Sequence, residues 1–142
     1  MEQREQRQRG GLEMTLPWPP SINGYWRSFR GRQILSKAGR DYRAEVANQV
    51  VVQCSARHYT ECLKVTITAY RPDNRRRDLD NILKAALDGL AHAGVYDDDS
   101  QIVELTVRWG ATIGGYLKVE VVCADDPRTA AGSKARSQDD PE

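Results

Sequence analysis

Cysteine is scarce in this chain: Cys54, Cys62 and Cys123 are odd in number and show no C-x-x-C spacing, which argues against both a cysteine zinc site and a disulfide framework. They read as buried or idle thiols. No apolar run approaches the roughly 18 residues of a membrane span, and the opening MEQREQRQRGG lacks the apolar core of a secretory signal, so a cytoplasmic protein without membrane contact is expected. A glycine-rich phosphate loop is also missing, which speaks against a nucleotide pocket, and there are no internal repeats.

What the chain has is charge, unevenly placed. With 142 residues, 39% hydrophobic and 29% charged, it has the composition of one soluble domain with a single core. The net charge of +1 conceals a segregation: residues 21–77 hold twelve Lys/Arg against four Asp/Glu, whereas residues 78–104 hold one against seven. A basic surface around an acidic pocket suits a metal-dependent enzyme acting on nucleic acid, because arginines neutralise phosphates while carboxylates hold the metal. A solvated surface with uneven charge is the simpler alternative.

The charge peaks in RRRDLDNILKAALDGLAHAGVYDDD, from Arg75 to Asp99. Gathered carboxylates repel one another unless a cation lies between them, and hard oxygen donors suit Mg²⁺ or Mn²⁺. Asp78 and Asp80 are two apart, so they share a side only where the chain is extended. Before them, LKVTITAY (63–70) alternates as a half-buried strand does. After them, Ile82, Leu83, Ala86, Leu87 and Leu90 recur at helical spacing up to Gly94, predicting a helix over 79–93. The aspartates therefore sit at a strand-loop-helix junction, with Asn81 completing a D-x-D-N. One of them could simply cap the helix. Lys84 lies one turn beyond Asp80 and could reach the same cluster or form an i,i+4 pair worth about 0.3–0.5 kcal/mol. Asp88 continues that row and reads as a solvated partner of Lys84. Asp97 to Ser100 could be a plain turn, since Asp and Ser favour one.

Along the rest of the chain, residues 1–11 are expected to be a disordered arm, residues 12–124 one domain, and residues 125–142 a disordered tail. LEMTL predicts a short strand, and Pro17, Pro19 and Pro20 predict a stiff, extended loop through PWPPSINGYWR. Its aromatics Trp18, Tyr25 and Trp26, beside Arg27, Arg30 and Arg32, could stack on bases while the guanidiniums bind phosphates; for Trp18, plugging the edge of the core is the expectation. SKAGRDYRAEVANQVVVQ predicts a helix capped by Ser36, with Tyr42, Val46 and Val50 on its buried stripe and Gln53 as a candidate fourth member. IVELTVRW and, after Gly114-Gly115, YLKVEVVC predict the last two strands. The order β-α-β-α-β-β implies an α+β fold, a small mixed or antiparallel sheet with two helices packed on one side.

LPWPPSINGYWR, SKAGRDYR, RRRDLDNILKAALDGLAHAGVYDDDSQI and GGYLKVEV, in this order and over about residues 14–122, resemble the RusA family of Holliday junction resolvases. The resemblance implies a small homodimeric, Mg²⁺-dependent endonuclease that nicks four-way DNA junctions in recombination and repair. It places the metal-binding acids at Asp78, Asp80 and Asp99, the catalytic lysine at Lys84, and an arginine at Arg77 beside the first aspartate. Asp98 matches the neighbouring acid of the D-D-x-Q, while Asp97 is extra here. Arg75, Arg76 and Arg77, with Arg27, Arg30 and Arg32, are expected to bind branched DNA through its phosphates. Two other readings stay open. A non-catalytic DNA-binding module would not need the acids, and a Mg²⁺-dependent nucleotidyl transferase would need a nucleotide pocket.

Overall fold

The computed structural model describes residues 11–54 and 57–128, with the side chain of Cys54 outside that set. The expected disordered arm and most of the expected tail therefore lie outside the described residues. In chain order the elements are β1 (Leu12–Pro17), α1 (Ile22–Tyr25), β2 (Trp26–Phe29), β3 (Arg32–Leu35), α2 (Lys37–Cys54), β4 (Leu63–Tyr70), α3 (Asp80–His92), a 3₁₀ turn (Asp99–Gln101), β5 (Ile102–Trp109) and β6 (Tyr116–Cys123).

Four strands form a mixed sheet in the order β1-β6-β4-β5. β6 lies antiparallel to both β1 and β4, while β4 and β5 are parallel. A parallel pair cannot be joined by a tight turn, so the chain from β4 must cross over, and α3 is that crossover. Period-two alternation decides the faces. Leu12, Met14 and Leu16 of β1, Leu63, Val65, Ile67 and Ala69 of β4, and Leu117, Val119 and Val121 of β6 are all buried in register on one face. The opposite face carries Glu13–Lys118 and Lys64–Glu104 ion pairs at 2.8 and 3.0 Å.

Both long helices lie on the apolar side. α2 buries Tyr42, Val46 and Val50, as its stripe predicts. Its fourth member, Gln53, is exposed, and its amide bonds the backbone N–H and C=O of Thr15 at 2.8 Å each, satisfying edge groups of β1 that lack a strand partner. Ser36 caps the helix as expected, its Oγ accepting from the Gly39 N–H at 3.0 Å. α3 buries Ile82, Ala85, Ala86 and Leu90, with Gly89 against Val46 of α2. Gly94, at φ 86°, ends α3 in the left-handed conformation that a side chain would resist.

The α+β class and the one-sided helices agree with the sequence reading; the β-α-β-α-β-β order misses four elements, the 3₁₀ turn and three that fall in one loop. Within the loop assigned to PWPPSINGYWR, Ser21 caps the short helix α1, its Oγ accepting from Gly24 N–H at 3.1 Å, and the chain then forms the β2-β3 hairpin, a separate two-stranded sheet. The prolines stop at Pro20, so their restraint does not extend over Ser21–Tyr25. A two-residue turn closes the hairpin, Arg30 at φ 51° and Gly31 at φ 75°, the doubly positive geometry that tight hairpins require.

Candidate active site

The strand-to-helix junction after β4 is where the acids meet the basic loop. α3 starts at Asp80, and its N-cap is Leu79, which makes no side-chain cap bond. Neither aspartate is therefore spent on capping, since Asp78 contributes only its carbonyl, accepting from the Asn81 N–H at 3.2 Å. No hydrogen bond or ion pair among the described residues engages the carboxylates of Asp78, Asp80 or Asp99, and all three are exposed. Lys84, one turn along the same helix, is exposed and likewise makes no ion pair.

Asp88, next on that row, behaves differently from the sequence reading. Its partner is Arg43 of α2, at 2.7 Å and 3.1 Å to the two carboxylate oxygens, and the hydroxyl of fully buried Tyr25 also donates to it. A solvated pairing with Lys84 is thus replaced by a half-buried knot joining α1, α2 and α3. Helical spacing alone favours Lys84, but the guanidinium across the α2–α3 contact offers two parallel bonds that an ammonium cannot. Burial works to raise the Asp88 pKa, and the bonds from Arg43 and Tyr25 outweigh it, holding the carboxyl below its usual range. The same surroundings push the Tyr25 phenol up to about 12, burial first and the Asp88 bond second.

The triple aspartate divides by role. Asp97 pairs with His58 at 3.0 Å. Asp98 caps the 3₁₀ turn, accepting from the Ser100 N–H at 3.1 Å, while Gln101 Oε1 accepts from the N–H of Asp98 and of Asp97 at 3.0 and 2.7 Å. Those Ser100 bonds lower the Asp98 pKa. Gln101 Nε2 then donates to the carbonyls of Tyr59 and Glu61, clamping the turn to the preceding segment. Asp99 alone keeps a free carboxylate. The turn touches α3, and burial first, then the carboxylates of Asp99, Asp88 and Asp98, raises the pKa of Tyr96, whose hydroxyl donates to the Leu87 carbonyl of that helix.

The arginines divide too. Arg75 is 83% exposed at its side chain and Arg76 is also exposed. Arg77 is only 24% exposed: it grips Asp73, and its guanidinium lies 5.8 Å from the centroid of the Trp18 ring. The Arg77 hydrogen bond, with the Arg75 N–H, pulls the Asp73 pKa down to about 2. Trp18 in turn stacks on Trp109 at 6.4 Å and packs on the core edge, as expected. Tyr25 is fully buried in the core and so is not presented to a base, whereas Trp26 packs on the core only in part. Between the proline loop and the junction opens a cleft of about 320 Å³, lined among others by Trp18, Ser21, Arg76, Asp78 and Asn81. Arg27, Arg30 and Arg32 stand exposed on the hairpin.

No group of three or more His, Cys, Asp or Glu among the described residues is gathered as a ready-made metal site. Asp78, Asp80 and Asp99 nonetheless fit Mg²⁺ or Mn²⁺ by donor chemistry. Mg²⁺ usually keeps several waters and completes its shell with substrate phosphate, so a preassembled triad is not required of the free protein.

Known proteins share this arrangement of sequence. Residues 17–129 match the family model for endodeoxyribonuclease RusA. The chain is 40% identical over 111 residues, 77% of its length and 92% of the relative's, to a crossover junction endodeoxyribonuclease of Enterobacteria phage HK97. It is 42% identical over 109 residues, 76% of its length and 91% of the relative's, to the enzyme of that name from Escherichia coli K12, and 41% over the same number to that of Enterobacteria phage 82. With the family model spanning most of the chain and relatives matched over nine-tenths of their length, the protein belongs to the RusA endodeoxyribonuclease family.

Proposed function

We propose that this protein is a Mg²⁺-dependent endodeoxyribonuclease, with Mn²⁺ as an alternative ion, that resolves four-way DNA junctions by paired symmetric nicks in recombination and repair. The observation that carries the reading is the pair Asp78 and Asp80, exposed and unengaged where a basic loop enters α3, with the free ammonium of Lys84 one turn on. The relatives' name, crossover junction endodeoxyribonuclease, supplies the substrate class.

In this reading Asp78, Asp80 and Asp99 hold the metal, and Lys84 stabilises the negative charge that grows on the phosphoryl oxygens as the bond to the leaving oxygen breaks. When bound, Mg²⁺ supplies a water of lowered pKa and polarises the phosphoryl group. Asp98 and Gln101 keep Asp99 in place. Arg75, Arg76, Arg27, Arg30 and Arg32 contact phosphates, and Arg77, held by Asp73 and Trp18, stiffens the loop that carries Asp78.

A homodimer places two such sites on a two-fold axis matching that of the junction. The support is at the sheet edge. β5 is an outer strand, and its helix-side residues Leu105 and Trp109 remain 39% and 36% exposed, continuing the apolar row of Val65 and Ala69 toward Trp18. An uncovered apolar edge of this kind suits a second copy.

Incubating the full chain with a labelled synthetic four-way junction and Mg²⁺, beside a linear duplex of equal length, tests the reading. Paired nicks in the junction alone are expected, and Asp80→Asn should bind the junction at least as tightly while cutting none. Equal cutting of the linear duplex, cutting without divalent metal, or an active Asp80→Asn would overturn it.

A further inference from the structure

The hairpin β2-β3 carries a feature that the proposed chemistry does not use. Its base is packed: Trp26 and Leu35 lie against the core, and Tyr25, immediately before it, is fully buried and tied to Asp88 of α3. Its tip is solvent-facing throughout, with residues 27–33 all exposed. At that tip stands Phe29, the sole phenylalanine of the chain, 50% exposed. The ring is not among the side chains packed on the core, and half of it faces solvent. Two guanidiniums flank it, those of Arg27 and Arg30, at 5.9 and 5.2 Å from the ring centroid. Arg30 also adopts a positive φ, where Asn or Asp would be the easier choice, so the turn brings a cation to the very end.

We infer that Phe29 is a base-stacking tip: it packs on the face of a DNA base left unstacked at the branch point, while Arg27, Arg30 and Arg32 hold the converging phosphates. The inference rests on the junction reading above and adds what distinguishes a junction from a duplex. Within a continuous duplex each base face is covered by its neighbour, so an aromatic ring finds no partner unless it pays for unstacking. At a branch, faces are open. Arginine contacts to phosphate alone would favour any DNA by charge; an aromatic face adds affinity only where a base is accessible. Because the hairpin base is fixed to α3 through Tyr25 and Asp88, a tip seated at the branch sets the position of the strands relative to Asp80 and Lys84 on the same helix.

The test compares wild type, Phe29→Ala and Phe29→Trp by equilibrium binding, without divalent metal, to a four-way junction and to a linear duplex of equal length, together with junction cleavage in Mg²⁺ and sedimentation velocity of each protein. Phe29→Ala is expected to lower junction affinity roughly 5- to 100-fold and to change duplex affinity less than about twofold, with the oligomeric state unchanged; Phe29→Trp should bind as wild type does. Equal losses for junction and duplex, or unchanged junction affinity, overturn the inference even where wild type cleaves the junction as proposed. Dissociation of the Phe29→Ala dimer with junction affinity per dimer unchanged would reassign the tip to contact between copies, and overturn it too. A wild-type protein that neither prefers nor cuts the junction overturns the functional reading first, and the tip's role with it.

Discussion

Single residues in this protein separate into those whose charge is spent inside the fold and those whose charge is left available. Asp88, Asp98, Asp97 and Asp73 each have a partner; Asp78, Asp80 and Asp99 have none among the described residues. The Tyr25–Asp88–Arg43 knot gives the spent class a measurable signature. A phenol whose pKa rises on folding, from 10.0 to about 12, binds its proton more tightly in the native state. Its contribution is fully present below pH 10 and is lost as pH rises through about 12. Tyr25→Phe should therefore flatten the decline of stability with pH between those values by about one proton's worth, read as the slope of urea midpoints against pH. An unchanged slope would show that Tyr25 is not held as described. Arg43→Met should cost about 2 kcal/mol near neutral pH, because Asp88 then stays half-buried without its cation.

Short elements do the positioning. The 3₁₀ turn Asp99–Gln101 is held by a reciprocal cap and by two carbonyl bonds from Gln101, none of which engages the Asp99 carboxylate. Gln101→Ala removes four bonds at once, and a loss of about 1–3 kcal/mol in stability is expected with a fall in cleavage rate larger than the fall in junction affinity. Affinity and rate falling together would show that the turn contacts DNA directly. In the loop before α3, the arginines should part company. Arg75→Ala with Arg76→Ala should flatten the dependence of log binding constant on log salt by roughly 0.9 per lost phosphate contact. Arg77→Ala should leave that slope nearly intact and lower the thermal midpoint instead, since its guanidinium serves Asp73 and Trp18.

For the molecule as a whole, the one-sided sheet leaves two surfaces with different uses: a polar face laced with ion pairs, and an edge strand whose apolar row is incompletely covered. Sedimentation velocity of the full chain at micromolar concentration is expected to show a dimer, and Leu105→Lys should shift it to monomer while lowering paired nicking more than total nicking. A wild-type monomer that still makes paired nicks would remove the need for two sites on one axis. No helix among the described residues is long and apolar enough to cross a membrane.

Local patterns were enough to read much of this from the sequence. Strand 63–70 follows from strict alternation, the stop of α3 from Gly94, and the place of the D-x-D pair at the entry to a helix from the change of period around it, because these depend on neighbours close in the chain; that Leu79 between the two aspartates is already helical, not extended, does not follow from that pattern. The family resemblance adds Asp78, Asp80, Asp99 and Lys84 as the residues the proposed chemistry uses. What required the tertiary structure is everything set by partners distant in sequence. Arg43 lies 45 residues from Asp88, and Tyr25 lies 63 from it, so no spacing rule could have preferred them to Lys84. The same holds for the aromatics: Trp18, Tyr25, Trp26 and Phe29 crowd one stretch of chain, and only packing against α2, α3 and β5 sends three of them inward and leaves Phe29 at the end of an arm. Sequence determined which groups were available; burial and long-range pairing determined which of them remained free to act.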